Sequence, residues 1–437
     1  MNLFSKIKDS HLKDLIKGGS TNFIFYALNV VVVYFLSIFI SKIYGAEVYG
    51  RFAIIKSLVI ILIIFSTLGL NTLAIKYASN GAHYSKGFYK SNFLKKSYFI
   101  IFFSTLFIAG LFFFNNHFIS LTIFNDGLLE DYFMFFPILL FSAVSLNYNS
   151  NLFKGQGRIT LFSILSSFLS NIILLLLIYF IHTFISESEI YIVLCLAFSF
   201  LLVSVISFFY VLPIKWDSQV HKIKTKNLIK SSLPMMISAA MIYLIFSVDT
   251  IMLGILDTTE NVGIYRIVAQ ISSVISIFII VLGAVVGPKI SFFFSNDKMT
   301  ELKRFIQNTS KLVFFISLPI FLLIIIFASP ILNFFGENFQ KGYSALLFLS
   351  VCQFLFVITG FVDLILNMTG HQKIFGKITI ISAMLNVVLN AILIPKYGIN
   401  GAAMATGFTI VLNNFIGLIY IKKKLEILTV YLPLRKR

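Results

Sequence analysis

The chain has 437 residues, of which 58% are hydrophobic and only 12% are charged, and its mean hydropathy is +0.94. Soluble globular proteins contain about 25% charged residues. A chain with half that charge cannot cover its surface with polar groups, so the composition predicts an integral membrane protein. We attribute the net charge of +18 to lysine and arginine in the loops that flank the membrane, and we expect no nucleic-acid partner because no binding motif accompanies it.

Twelve apolar stretches are long enough to cross the bilayer, because a helix needs about 20 mostly apolar residues to span about 30 Å of hydrocarbon. They lie at 21–40, 52–74, 97–114, 132–150, 159–181, 190–212, 232–256, 264–288, 311–330, 343–368, 374–394 and 400–421. A barrel would show alternating segments of about ten residues instead. The sequence therefore predicts an all-α integral membrane fold with twelve transmembrane helices.

Lysine and arginine are distributed very unequally between the two sides of these helices. Of the 35 lysine and arginine residues, 29 lie in the N-terminus, the even-numbered loops and the C-terminus, and four lie in the odd-numbered loops. Because cytoplasmic loops of membrane proteins are enriched in these residues, we predict that both termini are cytoplasmic.

The two halves of the chain resemble each other at a nearly constant offset of 213 to 215 residues. The matched positions are Gly50 with Gly263, Gly155 with Gly370, and Asn171 with Asn386. With six helices per half, these are parallel repeats, and transporters built in this way bind their substrate between the halves.

This repeat predicts five segments. Residues 1–20 form a basic lead-in, which is either an amphipathic helix on the inner membrane surface or an orientation signal. Six-helix bundles follow at 21–212 and 231–421, joined by a cytoplasmic linker at 213–230. Residues 422–437 form a basic cytoplasmic tail.

Several short motifs resemble those of one transporter family. Residues 394–403 read IPKYGINGAA, residues 249–254 read DTIMLG, residues 262–265 read VGIY and residues 44–52 read YGAEVYGRF. They are similar to motifs of the bacterial O-antigen and capsular repeat-unit flippases. This family belongs to the superfamily that includes the multidrug-and-toxin extruders and the lipid II flippase.

The resemblance implies a V-shaped cavity between two six-helix bundles. It implies a non-enzymatic protein of the bacterial cytoplasmic membrane that moves an oligosaccharide linked to undecaprenyl pyrophosphate. Alternating access driven by H⁺ or Na⁺ is expected, with no other cofactor. Membrane lipids are the expected surroundings, and a polysaccharide polymerase and a chain-length regulator are the implied protein partners.

Two cations lie within predicted spans, where ionisable groups are costly and commonly functional. Lys56 is about 6 Å into span 2, and Arg266 lies at the outer start of span 8. Arginine and lysine form charge-assisted hydrogen bonds to phosphate oxygens, so both are candidate ligands of the pyrophosphate. The alternative is that they snorkel to the outer headgroups.

Two acids, Asp249 and Asp363, are the candidate sites for a coupling cation. Asp249 lies about 10 Å from the outer end of span 7 and could take up a proton or ligate Na⁺. Its alternative role is a structural pair with Arg266. Asp363 lies near the inner end of span 10, and its alternative partner is a loop lysine such as Lys373 or Lys377.

Three further polar residues are candidate ligands of the sugar. Tyr148 lies in a stretch rich in asparagine, where it either faces the substrate or marks the end of span 4. Asn171 and Asn386 recur at equivalent mid-helix positions, where they either line the cavity or form hydrogen bonds between helices.

Two other functions remain open. A multidrug exporter of the same superfamily would bind organic cations in an acidic or aromatic cavity. A membrane polymerase or ligase would need a large polar outer loop, and the longest outer loop, at about 115–131, has no lysine or arginine.

Overall fold

The computed structural model describes residues 10–83, 93–211 and 224–430. The regular secondary structure of these residues is helical, with no strand. The predicted lead-in, the linker and the tail lie partly outside the described residues. The helices are α1 (Ser10–Thr67), α2 (Leu70–His83), α3 (Phe93–Phe114), α4 (Asn116–Phe118), α5 (Leu129–Met134), α6 (Phe136–Gly155), α7 (Ile159–Ser163), α8 (Leu169–Phe184), α9 (Ile190–Val211), α10 (Thr225–Leu256), α11 (Thr259–Ser273), α12 (Ile277–Ser295), α13 (Met299–Ile326), α14 (Ala328–Phe335), α15 (Tyr343–Ile358), α16 (Val362–Met368), α17 (Gln372–Tyr397) and α18 (Ile399–Lys424).

The protein is a multi-pass membrane protein. Nine helical segments of the described residues are long and apolar enough to cross a bilayer. The first, Ile24–Thr67, has 44 residues and turns at Gly45, where the backbone is not helical, so it covers two predicted spans. Each of the twelve predicted stretches falls on helical residues, while their arrangement as twelve helices in two bundles remains a prediction.

The chain divides into two compact units. The first contains the described residues up to Phe39 and those from Ile55 to Ala240, and the second contains Ile40–Ile54 and the described residues from Met241. Within the first unit α6 packs against α2, α3 and α9, and within the second α18 packs against α15 and α17. The turn between the first two predicted spans therefore belongs to the second unit.

Two glycines bring backbones of the second unit into direct contact. A side chain on Gly50 would lie under 3.0 Å from the Thr259 carbonyl oxygen, and one on Gly263 would lie equally close to that of Ala46. The sequence repeat makes these two contacts equivalent to each other, because Gly50 corresponds to Gly263 and Ala46 to Thr259, each pair 213 residues apart. The two matched turns thus pack against each other reciprocally, with no room for a Cβ atom.

The helix of predicted span 10 is interrupted near its inner end. Its first part, α15, ends at Ile358, and α16 begins at Val362, with Gly360 between them at φ +77°. The carbonyl of Thr359, left without a helical partner, accepts a hydrogen bond of 2.7 Å from the buried Thr429 hydroxyl. The segment that follows α18 thus folds back and satisfies the interrupted backbone, as the low dielectric of a bilayer requires.

Replacing Gly50 or Gly263 by alanine is expected to lower the free energy of unfolding by about 1–3 kcal/mol, the usual cost of overpacking a close contact. Thermal unfolding in detergent measures this change. Gly376→Ala is the matched control, because a Cβ atom there meets nothing within 4 Å. The control is expected to be neutral or to stabilise the helix by about 0.5–1 kcal/mol. Equal stability of all three variants would contradict the close contact.

Candidate functional site

A buried carboxylate lies at the meeting point of three helices in the second unit. Asp249 on α10 is only 3% exposed. Its Oδ2 accepts hydrogen bonds from the hydroxyls of Tyr265 on α11 and of Thr406 on α18, the latter at 3.0 Å. Its Oδ1 accepts the backbone N–H of Thr250 at 2.8 Å. Neutral donors therefore stabilise an acidic group that the bilayer interior would otherwise disfavour.

Two asparagines of α17 extend this network. The Asn386 amide donates to Thr409 at 3.1 Å and to Thr406 at 3.4 Å. Asn390, one turn further along α17, donates to Asn386 Oδ1 at 3.0 Å. Both asparagines are completely buried. The predicted residues Asp249 and Asn386 are therefore parts of one polar network, which we call the Asp249 network.

The Asp249 network contains acceptor oxygens without donors. Asn390 Oδ1 and Thr250 Oγ1 are buried and make no hydrogen bond to any described residue. Leaving a buried acceptor unsatisfied costs about 1–3 kcal/mol, so a ligand that donates to or is coordinated by these oxygens would be stabilising. One carboxylate surrounded by neutral oxygens suits a hard monovalent cation or a proton. Across residues 10–83, 93–211 and 224–430, no cluster of three or more His, Cys, Asp and Glu side chains could hold a metal ion.

Arg266 lies beside the Asp249 network without joining it. It directly follows Tyr265 in α11 and is half-buried. Its guanidinium is within electrostatic range of the Asp249 carboxylate, yet among the described residues it makes no hydrogen bond or ion pair with that carboxylate. The expected alternative, a direct Asp249–Arg266 pair, is therefore absent from the described structure.

Lys56, the second predicted cation, lies in the C-terminal part of α1. It is half-buried and interacts with neighbouring groups. Because the first unit resumes at Ile55, Lys56 belongs to the first unit, whereas Arg266 belongs to the second. The structure thus places one predicted substrate cation in each unit.

Asparagines also form hydrogen bonds between helices in the first unit. Asn171 on α8 donates to Asn29 on α1 at 2.9 Å. Asn71 on α2 donates to Asn147 on α6 at 3.0 Å. The repeat-related residues Asn171 and Asn386 therefore share the same behaviour, since each links two helices within its own unit.

Tyr148 lies inside the first unit, at the contact between α6 and α3. It is fully buried, and its ring packs edge-on against that of Tyr98 with centroids 5.0 Å apart. The neighbouring Asn149 accepts the Tyr98 hydroxyl and donates to Ser207 at 2.8 Å. The asparagine-rich stretch is therefore a buried polar contact among α3, α6 and α9.

Asp363 occupies the first turn of α16, immediately after the interruption at Gly360. Unlike Asp249, its side chain is exposed. Neither Lys373 nor Lys377 forms an ion pair with it. The two candidate coupling acids thus lie in different environments, Asp249 within a hydrogen-bonded network and Asp363 at an interrupted helix.

Several members of the Asp249 network were not predicted from the sequence. Tyr265 is part of the VGIY motif but was not a predicted site residue, and neither Thr406 nor Asn390 was predicted. The spacing of Asn386 and Asn390 by four residues could have signalled a shared helix face. The partners of Asp249 could not be found in this way, because they lie 16 and 157 residues away in the chain.

Comparison with known proteins identifies related families. The family model described as "Polysaccharide biosynthesis protein" matches residues 12–294, and the MatE family model matches residues 234–392. A probable low-salt glycan biosynthesis flippase, Agl15 of Haloferax volcanii, is 27% identical over 183 residues. That match covers 41% of this chain and 38% of the relative, so the similarity to this curated relative extends over well under half of its length.

Solved transporter structures share the fold. An inward-facing multidrug resistance transporter of the MATE family superposes with a TM-score of 0.71 at 15% identity, covering 92% of this chain and 94% of that one. The lipid II flippase MurJ in an inward closed conformation superposes with a TM-score of 0.62 at 16% identity, covering 93% and 87%. Identities this low show a common fold alone.

The hydrogen bond between Asn29 and Asn171 is expected to carry a coupling free energy of about 0.6 kcal/mol, the typical value for polar pairs between transmembrane helices. A double-mutant cycle of Asn29→Ala and Asn171→Ala, read as unfolding free energies in bicelles, measures it. The control cycle combines Asn171→Ala with Asn71→Ala, because these residues bond to different partners and their effects should be additive. Additive effects in the first cycle would show that the two asparagines do not stabilise each other.

Proposed function

The chain belongs to the polysaccharide biosynthesis protein family, and from this premise we propose that it is a flippase for a lipid-linked oligosaccharide. The proposed substrate is a repeat unit carried on undecaprenyl pyrophosphate, moved from the inner to the outer leaflet of the bacterial cytoplasmic membrane. Both termini are cytoplasmic in this proposal, and a polymerase and a chain-length regulator act on the product. The transport needs no covalent step.

The observation that carries this proposal is the Asp249 network. Within this network the Asn390 Oδ1 acceptor is buried without a donor, and the hydroxyl of Thr250, the residue after Asp249, also has no hydrogen-bond partner among the described residues. Ionisable groups inside membranes mark ion and substrate pathways. We propose that Na⁺ or a proton binds at Asp249, with Thr406 and Asn390 supplying neutral oxygens to Na⁺.

Arg266 supports the link between this site and an anionic substrate. Its guanidinium offers five donors in a planar fork that suits phosphate oxygens. It lies half-buried next to Tyr265, whose hydroxyl bonds to Asp249. In the proposed mechanism Arg266 and Lys56 bind the pyrophosphate, while the lipid tail stays in the bilayer.

Asp363 remains the second candidate for the coupling acid. Its position after an interrupted helix favours an ion-binding role, since transporters use unwound segments of spanning helices in this way. Asp363 has no polar side-chain partner among the described residues, and this favours Asp249 as the stronger candidate. Asn171, Asn386 and Tyr148 remain predicted sugar contacts, each already engaged in packing within its unit.

Removing either cation is expected to block transport. Lys56→Ala and Arg266→Ala should each reduce surface polysaccharide by about tenfold or more, because a charge-assisted hydrogen bond contributes about 1.5–3 kcal/mol. The measurement is complementation of a deletion strain, scoring surface polysaccharide and the lipid-linked repeat units on each membrane face. Lys396→Ala is the control, since this exposed lysine lies outside both predicted sites.

Accumulation of repeat units on the cytoplasmic face would support the flippase and its site together. Normal transport by both cation variants would contradict the pyrophosphate site while leaving the flippase function intact. Normal polysaccharide in the deletion strain, together with increased sensitivity to cationic dyes, would identify a drug exporter instead.

Na⁺ is expected to stabilise the purified protein if it is the coupling ion. A ligand at 100 times its dissociation constant adds about 2.7 kcal/mol to the stability of the native state. Thermal unfolding at increasing NaCl, with KCl at constant ionic strength, should therefore show a shift of several degrees. Asp249→Asn should abolish the shift and Thr406→Val should weaken it. A shift that persists in Asp249→Asn but disappears in Asp363→Asn would assign the ion to the second acid.

A further inference from the structure

A groove between α3 and α6 contains no member of the Asp249 network and neither Arg266 nor Lys56. It has a volume of about 440 Å³, in the range of small-molecule sites, and lies within the first unit. Lys95 stands at one end and Thr105 near the other, ten residues further along α3. Ten residues of helix span about 15 Å, which is half of a hydrocarbon core of about 30 Å. The groove is therefore as long as one leaflet is thick.

The groove has a charged end. Lys95 is exposed and forms no ion pair with any described residue. Its position two residues after the start of α3 places the ammonium group at the level of the lipid headgroups. By the positive-inside distribution of lysine and arginine, these headgroups are predicted to be cytoplasmic. The chemistry of this end therefore suits a phosphate.

One tyrosine contributes to the wall of the groove. Tyr148 lines it, but its side chain is fully buried, with its ring packed edge-on against that of Tyr98. Tyr148 therefore shapes the groove without offering its hydroxyl to a ligand.

The remainder of the groove is apolar and open to lipid. Phe99 and Phe102 are 64% and 52% exposed, while Val144 forms part of the buried wall. Such a surface suits a hydrocarbon chain that enters sideways from the bilayer. The groove thus combines a cation at the headgroup level with an aromatic channel one leaflet long.

We propose that this groove binds an anionic phospholipid of the leaflet that Lys95 reaches. The phosphate pairs with Lys95, and one acyl chain lies along Phe99 and Phe102. The one-leaflet length favours a phospholipid over an undecaprenyl carrier, whose chain is several times longer. Of the residues assigned to transport, the groove includes only Tyr148, a predicted sugar contact, and it uses neither the Asp249 network nor Arg266.

Quenching by brominated lipids tests the proposal. The single tryptophan is removed by Trp216→Phe, and a reporter is introduced by Phe102→Trp in the full chain. The protein is placed in nanodiscs of phosphatidylcholine that contain brominated phosphatidylglycerol or brominated phosphatidylcholine. We expect brominated phosphatidylglycerol to occupy the site about fivefold more strongly, as one lysine near the membrane surface would produce.

Three variants decide the outcome, each in the reporter background and each first shown to unfold at the temperature of its parent. Lys95→Gln should remove the preference for phosphatidylglycerol, whereas Lys377→Gln, at an exposed lysine of the second unit, should retain it. Ser145→Phe should reduce quenching by either lipid, because it fills the groove. Equal quenching by the two lipids, a preference that survives Lys95→Gln, or stronger binding of a polyprenyl phosphate would each overturn the proposal.

Discussion

The absence of water from the hydrocarbon core is the constraint on which the structure depends. Every backbone and side-chain polar group at that depth must find a partner within the protein. Thr105 meets this requirement locally, by donating to the carbonyl of Ile101 one turn earlier at 2.6 Å. Asp249 cannot do so alone and needs hydroxyls from two other helices. Asn390 Oδ1 is one of several buried side-chain atoms that make no hydrogen bond to a described residue, and it lies in the Asp249 network.

A second constraint is steric, and it acts between two equivalent turns of the internal repeat. The sequence makes Gly50 and Gly263 equivalent, but equivalence by duplication does not require contact. In the structure each glycine meets the backbone of the other's turn, so the two copies form a reciprocal, twofold-like contact. Any side chain at either position would separate the turns. The duplication thus preserved a pair of surfaces that fit each other, which a single copy could not have provided within one chain.

Features of the fold that depend on local sequence could be predicted, whereas those that depend on contacts between distant segments could not. Hydropathy predicted helical residues in all twelve stretches, since spanning a bilayer requires only length and apolar composition. Interruptions such as that at Gly360 were not predicted, because they depend on a distant segment: the Thr429 hydroxyl satisfies the carbonyl that the break exposes. The same distinction applies to the site. Asp249 was predicted because a charge within an apolar run is visible in the sequence. Its partner Thr406 was not, because nothing in the local sequence distinguishes it from other threonines and only the folded structure brings it to Asp249.

The arrangement of Arg266 and Asp249 bears on how a transporter of this kind would couple its ligands. In the absence of substrate, the positive guanidinium opposes the entry of another cation at the carboxylate. An anionic phosphate that pairs with Arg266 would neutralise that field and thereby strengthen cation binding at Asp249. Because coupling between two sites is reciprocal in free energy, the cation would in turn strengthen phosphate binding. Any coupling between the two proposed sites would act through α11, because Arg266 directly follows Tyr265, whose hydroxyl donates to Asp249.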